Sequence, residues 1–198
     1  GGQYLDGTTD ITRTIPIGTV GDDEKAAFTR VLQGMIAMSR LRWPTGLAGR
    51  DIECVGRMPL WLAGQDFNHG LGHGVGAYLS VHEGPQRLSR VSHVPLETGM
   101  ILSNEPGYYR EGAFGIRIEN LLVVEPASKL DSADAEREML AWRNLTFAPI
   151  DRRLIVKEMM SEDEITWLND YHTEVATRIG PNVSASARDW LANATATI

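Results

Sequence analysis

The sequence of 198 residues contains one cysteine, Cys54, so the chain cannot form an internal disulfide. This fits a reducing compartment. Because Cys54 stands among apolar neighbours in DIECVGRMPL, we expect a packed thiol rather than a nucleophile. No apolar run approaches the ~20 residues of a membrane-spanning helix, and no basic-then-apolar signal opens the chain. The sequence therefore does not indicate a membrane-spanning helix.

Clusters of lysine and arginine are also absent. The net charge is -7, with 19 basic against 26 acidic residues. Binding to nucleic acid requires clustered positive charge that contacts phosphates, so this balance argues against such partners. The hydrophobic fraction of 42% is ordinary for a globular protein. A chain of this length is sufficient for one sizeable core.

The first third of the chain alternates between a strand pattern and helix patterns. An Asp6-Gly7 turn signal precedes residues 8–15, whose alternation predicts a strand with Asp10 and two threonines on one face. Residues 22–42 have an acidic first turn and apolar residues at helical spacing, which predicts a helix. A second helix is predicted over residues 50–63.

The remainder of the chain combines short strand patterns with a helical tail. Between residues 70 and 125, β-like runs are separated by glycine and proline, and the polar residues 127–141 predict a loop. A last strand is predicted over 152–157. Ser161 and Glu164 form a capping box that opens a helix over 162–179, and a short helix follows over 184–194. The resulting class is α+β.

Four separate segments carry side chains suited to binding a metal ion. They are Asp10 in TTDITRT, His73 in HGLGHGVG, Glu105 in LSNEPG and Glu119 in GIRIEN. Carboxylates suit hard divalent ions, and one neutral histidine adds a borderline ligand. Each segment alone also has an ordinary structural explanation. These are an exposed edge strand at Asp10, a glycine-rich strand at His73, a solvated carboxylate at a strand end at Glu105, and an ion pair between Arg117 and Glu119.

The order and sequences of these segments together strongly resemble aminopeptidase P, the Xaa-Pro aminopeptidase of the pita-bread metallopeptidase family. The resemblance is carried by the motifs HGLGHGVGAYLSVHEGP, LSNEPGYY and NLTFAPID, in addition to TTDITRT and GIRIEN. The resemblance covers residues 4–126 and resumes through the WLNDYH helix, as in the longer, cytosolic-type form. It implies a pita-bread fold that lacks its first portion, a catalytic domain over residues 1–142 and a helical C-terminal extension over residues 143–198. It also implies a cytoplasmic location and a homodimer.

The resemblance assigns roles to individual residues. It implies two divalent metal ions, usually manganese, with Asp10 and Glu119 as bridging ligands and His73 and Glu105 completing one metal site. A hydroxide between the two ions would attack the scissile carbonyl. Glu105 would also handle protons. The resemblance further implies that His69 and His82 hold the peptide and polarise it near its proline, and that Arg117 orients Glu119.

One ligand of the family's pattern, an aspartate eleven residues before Asp10, would lie upstream of Gly1. Asp6, beside its turn glycine, is a poor substitute. The chain as given is therefore expected to bind at most one ion firmly and to be weakly active or inactive.

The implied substrate is a peptide with proline at its second position, from which the first residue is removed. The alternatives are a prolidase, which takes only Xaa-Pro dipeptides, and a pita-bread domain that binds peptides or proteins without catalysis. The sequence motifs VHEGP and RIEN favour the aminopeptidase over the prolidase. The four ligand positions inside the chain are intact, which argues against the non-catalytic alternative.

Overall fold

Helix α1, Asp22–Ser39, lies at the centre of the hydrophobic core in the computed structural model, which describes residues 1–132, 134 and 136–198. One face of α1 is fully buried, including Phe28, Leu32 and Ile36. The predicted helix is confirmed but ends three residues early, because the chain then turns into strand β3, Arg42–Pro44.

A four-stranded antiparallel sheet packs beside α1. Its strand order is β3-β10-β9-β6, with β6 at Ile101–Asn104, β9 at Asn120–Pro126 and β10 at Met139–Asn144. Buried residues of these strands belong to the same hydrophobic core as α1. In the register, Asn104 lies opposite Asn120, which places the ends of β6 and the start of β9 side by side.

Three two-stranded antiparallel pairs accompany the sheet. They are β1 with β2 (Gln3–Tyr4, Gly7–Thr8), β4 with β5 (Gly72–His73, Arg87–Leu88) and β7 with β8 (Gly107–Arg110, Phe114–Arg117). The predicted turn before residue 8 is present. The predicted strand 8–15 is reduced to Thr8 at the end of β2 and an isolated bridge between Thr12 and Glu119.

The remaining helices surround the core. Helices α2 and α3 occupy Gly49–Ile52 and Cys54–Trp61, which confirms helical structure in the predicted 50–63 region but divides it in two. Helix α4, Glu162–Ile179, begins with the predicted capping box, since Ser161 N donates to Glu164 Oε2 at 2.8 Å. Helix α5 covers Ala185–Ala194. Short 3₁₀ turns occupy Arg152–Leu154, Lys157–Met159 and Gly180–Asn182.

Three predictions about local structure are wrong. Residues 152–157 do not form a strand, because the Asp151 side chain accepts from Arg153 N and starts a 3₁₀ turn. The loop predicted over 127–141 ends early, since β10 begins at Met139; Ala133 and Ala135 lie outside the described residues. Cys54 is exposed, because the opposite side of α3 faces the core.

Among the helices of the described residues, none combines the length and the apolar character needed to cross a membrane. The class predicted from sequence, α+β, is confirmed by these elements.

Candidate metal centre

Backbone pairing brings the four candidate ligand segments to one place. The bridge between Thr12 and Glu119 holds the Asp10 segment beside the start of β9, and a bridge between Gly74 and Leu102 holds β4 against β6. Ligand atoms of Asp10, His73 and Glu119 lie within 4.8 Å of one another. Three elements distant in sequence therefore converge on a potential metal site.

The close approach of β4 to β6 requires a glycine before His73. A Cβ atom on Gly72 would lie 1.8 Å from the carbonyl oxygen of Ser103, so no side chain fits there. His73 N donates to Ser103 Oγ at 3.0 Å across the same contact. The glycine-rich sequence HGLGH thus allows the imidazole of His73 to reach the candidate carboxylate ligands.

The imidazole of His73 is oriented by its own backbone neighbour. Nδ1 lies 3.0 Å from Gly74 O, and Nε2 lies 3.4 Å from Asp10 Oδ2 and 3.2 Å from Glu105 Oε1. Burial opposes protonation, but the hydrogen bonds to Glu105 and Gly74 and the nearby negative charges raise the pKa of His73. If Nδ1–H donates to Gly74 O, Nε2 is free to bind a cation.

Glu105 is held between positive and polar groups. Ser103 Oγ donates to Glu105 Oε1 at 3.0 Å, and Arg117 Nη1 lies 3.5 Å from Oε2. Burial favours the neutral carboxyl, yet the hydrogen bond and charge of His73, with Ser103 and Arg117, lower the pKa of Glu105. The carboxylate is therefore ionised and fixed in orientation.

Glu119 is the candidate ligand whose ionised form is disfavoured by its surroundings. Only 2% of it is exposed, and Thr12 Oγ1 donates to Oε2 at 2.5 Å. Burial raises the pKa of Glu119 to about 7, and the charges of Glu105 and Asp10 add to this effect. A concentration of buried negative charge of this kind is what a divalent cation neutralises.

Arg117 contacts a different carboxylate from the one predicted. It reaches Glu105, whereas no hydrogen bond or ion pair joins it to Glu119 among the described residues. The reason is that β8 ends at Arg117, so the strand alternation that would align the two side chains does not continue to residue 119. Arg117 Nε also donates to the hydroxyl oxygen of Tyr109 at 2.8 Å.

Tyr109 connects Arg117 to His69. Its hydroxyl lies 2.9 Å from His69 Nε2, while His69 Nδ1 lies 2.7 Å from Gly70 O. Burial lowers the pKa of His69, and the positive charge of Arg117 adds to the effect. Sequence reasoning missed Tyr109 and Ser103; a tyrosine two residues into β7 and a serine within β6 carry no pattern that indicates these contacts.

An open cleft of about 740 Å³ lies over the cluster. His69, His73, His82, Glu105 and Arg117 line it. The His82 ring lies edge-on to the His73 ring, with 4.0 Å between centroids. The predicted peptide-contacting histidines thus share one cleft with two of the predicted ligands, His73 and Glu105. Its volume is suited to a short peptide.

Comparison with known proteins agrees with this geometry. Residues 1–126 match the model of metallopeptidase family M24, and residues 138–198 match the model for the C-terminal region of that family. The chain belongs to metallopeptidase family M24. The family recognised from the sequence is thereby confirmed.

Relatives within family M24 have a consistent name. The chain is 44% identical to aminopeptidase P1 of Lotus japonicus over 98% of its own length, which is 30% of that protein. It is 47% identical to aminopeptidase P2 of Arabidopsis thaliana, again over 98% of its length and 28% of that protein. The chain thus spans about a third or less of the relatives it matches.

A solved M24 structure has the same fold. The X-prolyl aminopeptidase of Caenorhabditis elegans, described as a cytosolic enzyme with a di-nuclear active site, superimposes with a TM-score of 0.91 and 36% identity, covering 99% of this chain and 32% of that one. An Xaa-Pro dipeptidase of Bacillus anthracis gives a TM-score of 0.58 and 30% identity, covering 72% of this chain and 36% of its own. The predicted pita-bread fold is confirmed.

Proposed function

We propose that this chain forms the catalytic part of a metal-dependent aminopeptidase that removes the first residue from peptides with proline at the second position. The observation that carries the proposal is the convergence of Asp10, His73 and Glu119 within 4.8 Å, with Glu105 against His73. His73 and Glu105 also line a peptide-sized cleft. The names of the relatives supply the substrate class.

The donor set fits divalent metal ions. Three carboxylates and one imidazole suit ions such as manganese, and the negative charge that raises the pKa of Glu119 favours a cation there. For the protein with its natural flanking sequence we propose two ions, for which Asp10 and Glu119 would be shared ligands and His73 and Glu105 would be ligands of one ion. The di-nuclear site described for the Caenorhabditis elegans protein supports this proposal. When bound, the ions would supply an activated water and Lewis-acid polarisation of the scissile carbonyl.

The protein's own side chains would position the peptide and move protons. Glu105, held by Ser103 and Arg117, would accept a proton at a carboxylate oxygen and return it to the leaving amine. His82 is exposed in the cleft and would donate to the developing oxyanion. His69, oriented by Gly70 and Tyr109, would contact the substrate beside the proline.

Two observations favour the aminopeptidase over the prolidase. The C-terminal region, residues 138–198, has its own family match, and the superposition on the aminopeptidase covers nearly the whole chain whereas that on the dipeptidase covers 72%. The cytosolic description of the Caenorhabditis elegans protein supports a cytoplasmic location for this one.

The deciding experiment compares hydrolysis of an Xaa-Pro-Xaa tripeptide and an Xaa-Pro dipeptide with and without Mn²⁺, using the protein with its natural flanking sequence. We expect Mn²⁺-dependent release of the first residue from the tripeptide, lost in Asp10→Asn. His93→Gln is the matched control, because His93 is exposed and lies outside the residues lining the cleft. Cleavage of the dipeptide alone would indicate a prolidase. Mn²⁺ binding without either cleavage would indicate a binding protein.

A further inference from the structure

Arg13 makes an unusually dense set of hydrogen bonds directly beside the proposed metal ligands. Its Nη1 donates to Glu119 O at 2.7 Å and to Thr12 O at 2.9 Å. Its Nη2 donates to Asn120 Oδ1 at 2.7 Å. One guanidinium therefore holds together the two backbone segments that carry Asp10 and Glu119.

The other side of the same guanidinium contacts the C-terminal region. Nη2 donates to Ala148 O at 2.9 Å and to the hydroxyl oxygen of Tyr171 at 2.8 Å, and Nε donates to Pro149 O at 3.0 Å. Tyr171 lies on α4 and is only 4% exposed. Arg13 thus connects the segments of the proposed metal centre directly to residues of the 143–198 region.

Tyr171 is itself fixed on several sides. Its ring stacks on Trp167 with 5.3 Å between centroids and an interplanar angle of 5°. Its hydroxyl lies 2.8 Å from Ala148 O, and Ala148 N donates to it at 3.3 Å. A phenol held this rigidly provides a fixed acceptor for Arg13.

We propose that Arg13 is a positioning residue for the metal centre and that Tyr171 supports it, so that the C-terminal region sets the geometry of Glu119 and Asp10. The proposal rests on the proposed function, since it concerns the same ligands. Arg13 is not among the residues that line the cleft, so it acts by fixing the backbone at Thr12 and Glu119. Such supporting groups commonly alter metal affinity when they are changed.

Lysine cannot replace this arginine. The planar guanidinium presents its N–H groups in a fixed fork, and six acceptors surround Arg13 in different directions. A lysine ammonium keeps the charge but has three donors on one atom. Arg13→Lys therefore tests hydrogen-bond geometry separately from charge.

The experiment is a double-mutant cycle with Mn²⁺ affinity as the readout, measured by electron paramagnetic resonance on the protein with its natural flanking sequence. We expect Arg13→Lys to raise the Kd for Mn²⁺ by about 10- to 100-fold. Tyr171→Phe should raise it by less, on the order of 10-fold, at the lower end of that range. If Tyr171 acts through Arg13, the double variant binds no more weakly than Arg13→Lys alone.

Val175→Ala is the matched control. Val175 lies on α4 one turn beyond Tyr171 and is fully buried, so its truncation lowers thermal stability without touching Arg13. We expect its Mn²⁺ affinity to stay within about twofold of the unmodified protein, the range we treat as unchanged. In the active protein, Tyr171→Phe should lower kcat and leave KM nearly unchanged, because substrate contacts are intact.

The outcomes separate the two proposals. An unmodified protein that binds no Mn²⁺ overturns the proposed function and this inference with it. An unmodified protein that binds Mn²⁺ while Arg13→Lys binds it equally well overturns the inference alone, as does Tyr171→Phe behaving like Val175→Ala. If Arg13→Lys does not fold, the comparison of Tyr171→Phe with Val175→Ala decides.

Discussion

At the scale of single residues, the site combines charges that conflict when no cation is present. Glu119 is almost fully buried and close to Asp10 and Glu105, and among the described residues only Thr12 donates to its side chain. Function at such sites commonly costs stability, because groups suited to binding a ligand are poorly solvated without it. The metal-free protein should therefore gain stability when this charge is removed.

We predict that Glu119→Gln raises the free energy of unfolding of the metal-free protein at pH 8 by about 1–3 kcal/mol while abolishing Mn²⁺ binding. The amide keeps the shape of the side chain and can still accept from Thr12, but it carries no charge to repel Asp10 and Glu105. Denaturant unfolding in the presence of a chelator measures the effect. Glu97→Gln, at an exposed carboxylate, should change stability little; a less stable Glu119→Gln would contradict the argument.

His172 makes the fold sensitive to acid at a position away from the cleft. It is fully buried, and its Nε2 accepts from Ile150 N at 3.1 Å. Burial lowers the pKa of His172 to about 4, helped by the positive charges of Arg152 and Arg13. The folded protein thus holds this imidazole neutral over a pH range in which the unfolded chain protonates it.

We predict that this histidine contributes stability that is complete above its ordinary pKa of 6.5 and is lost as the pH falls towards 4. The unfolded state binds the extra proton in that window, so the loss is on the order of 3 kcal/mol at most. Urea unfolding at several pH values gives the free energy of unfolding as a function of pH. Between pH 6.5 and 4, this free energy should fall less steeply for His172→Gln than for the unmodified protein. His93→Gln should show the same pH dependence of stability as the unmodified protein. An equal pH dependence in all three proteins would exclude a contribution of His172.

At the scale of elements, close backbone contact between α1 and α3 supports the core. A Cβ atom on Gly34 would lie 2.1 Å from the carbonyl oxygen of Gly56, which is backbone and cannot rotate away. Gly34 is in the middle of α1, where glycine costs about 1 kcal/mol relative to alanine. Only glycine fits at this position, because the contact with Gly56 leaves no space for a methyl group.

We predict that Gly34→Ala lowers the free energy of unfolding by at least about 2 kcal/mol, because the clash exceeds the gain in helix propensity. Gly7→Ala is the matched control, since a Cβ there meets nothing within 4 Å. Thermal unfolding followed by circular dichroism measures both variants. A Gly34→Ala protein as stable as the unmodified one would show that α1 and α3 can move apart freely.

Helices were easier to predict than strands for a local reason. The apolar spacing of α1 and the Ser161–Glu164 capping box of α4 are properties of neighbouring residues, so they could be identified directly in the sequence. The segment 152–157 contains an apolar, β-branched run typical of a strand. No strand in the described part of the chain pairs with it, and 3₁₀ turns occupy Arg152–Leu154 and Lys157–Met159 instead. A strand depends on pairing that the local sequence does not contain.

At the scale of the whole molecule, the regions 1–142 and 143–198 share one core. Leu168, Tyr171 and Val175 of α4 belong to the same buried cluster as Phe28 and Leu32 of α1. We therefore propose that the two regions fold as one cooperative unit despite their separate family matches.

This predicts a single calorimetric transition whose van't Hoff and calorimetric enthalpies agree. The measurement is differential scanning calorimetry, with circular dichroism and tryptophan fluorescence as independent probes of the same melt. Tryptophan fluorescence samples both regions, because Trp43 lies in the sheet and Trp167 lies on α4. Two separated transitions would contradict a shared core and would support independent domains.

The sequence by itself determined the candidate metal ligands of this protein: Asp10, His73, Glu105 and Glu119, each in a recognisable local motif. Only the tertiary structure decided which groups support them. Arg117 pairs with Glu105 instead of Glu119, and Arg13 joins the ligand segments to Tyr171 about 158 positions away. Residue type and spacing are written in the chain, whereas hydrogen bonds between distant segments exist only after the core has brought those segments together.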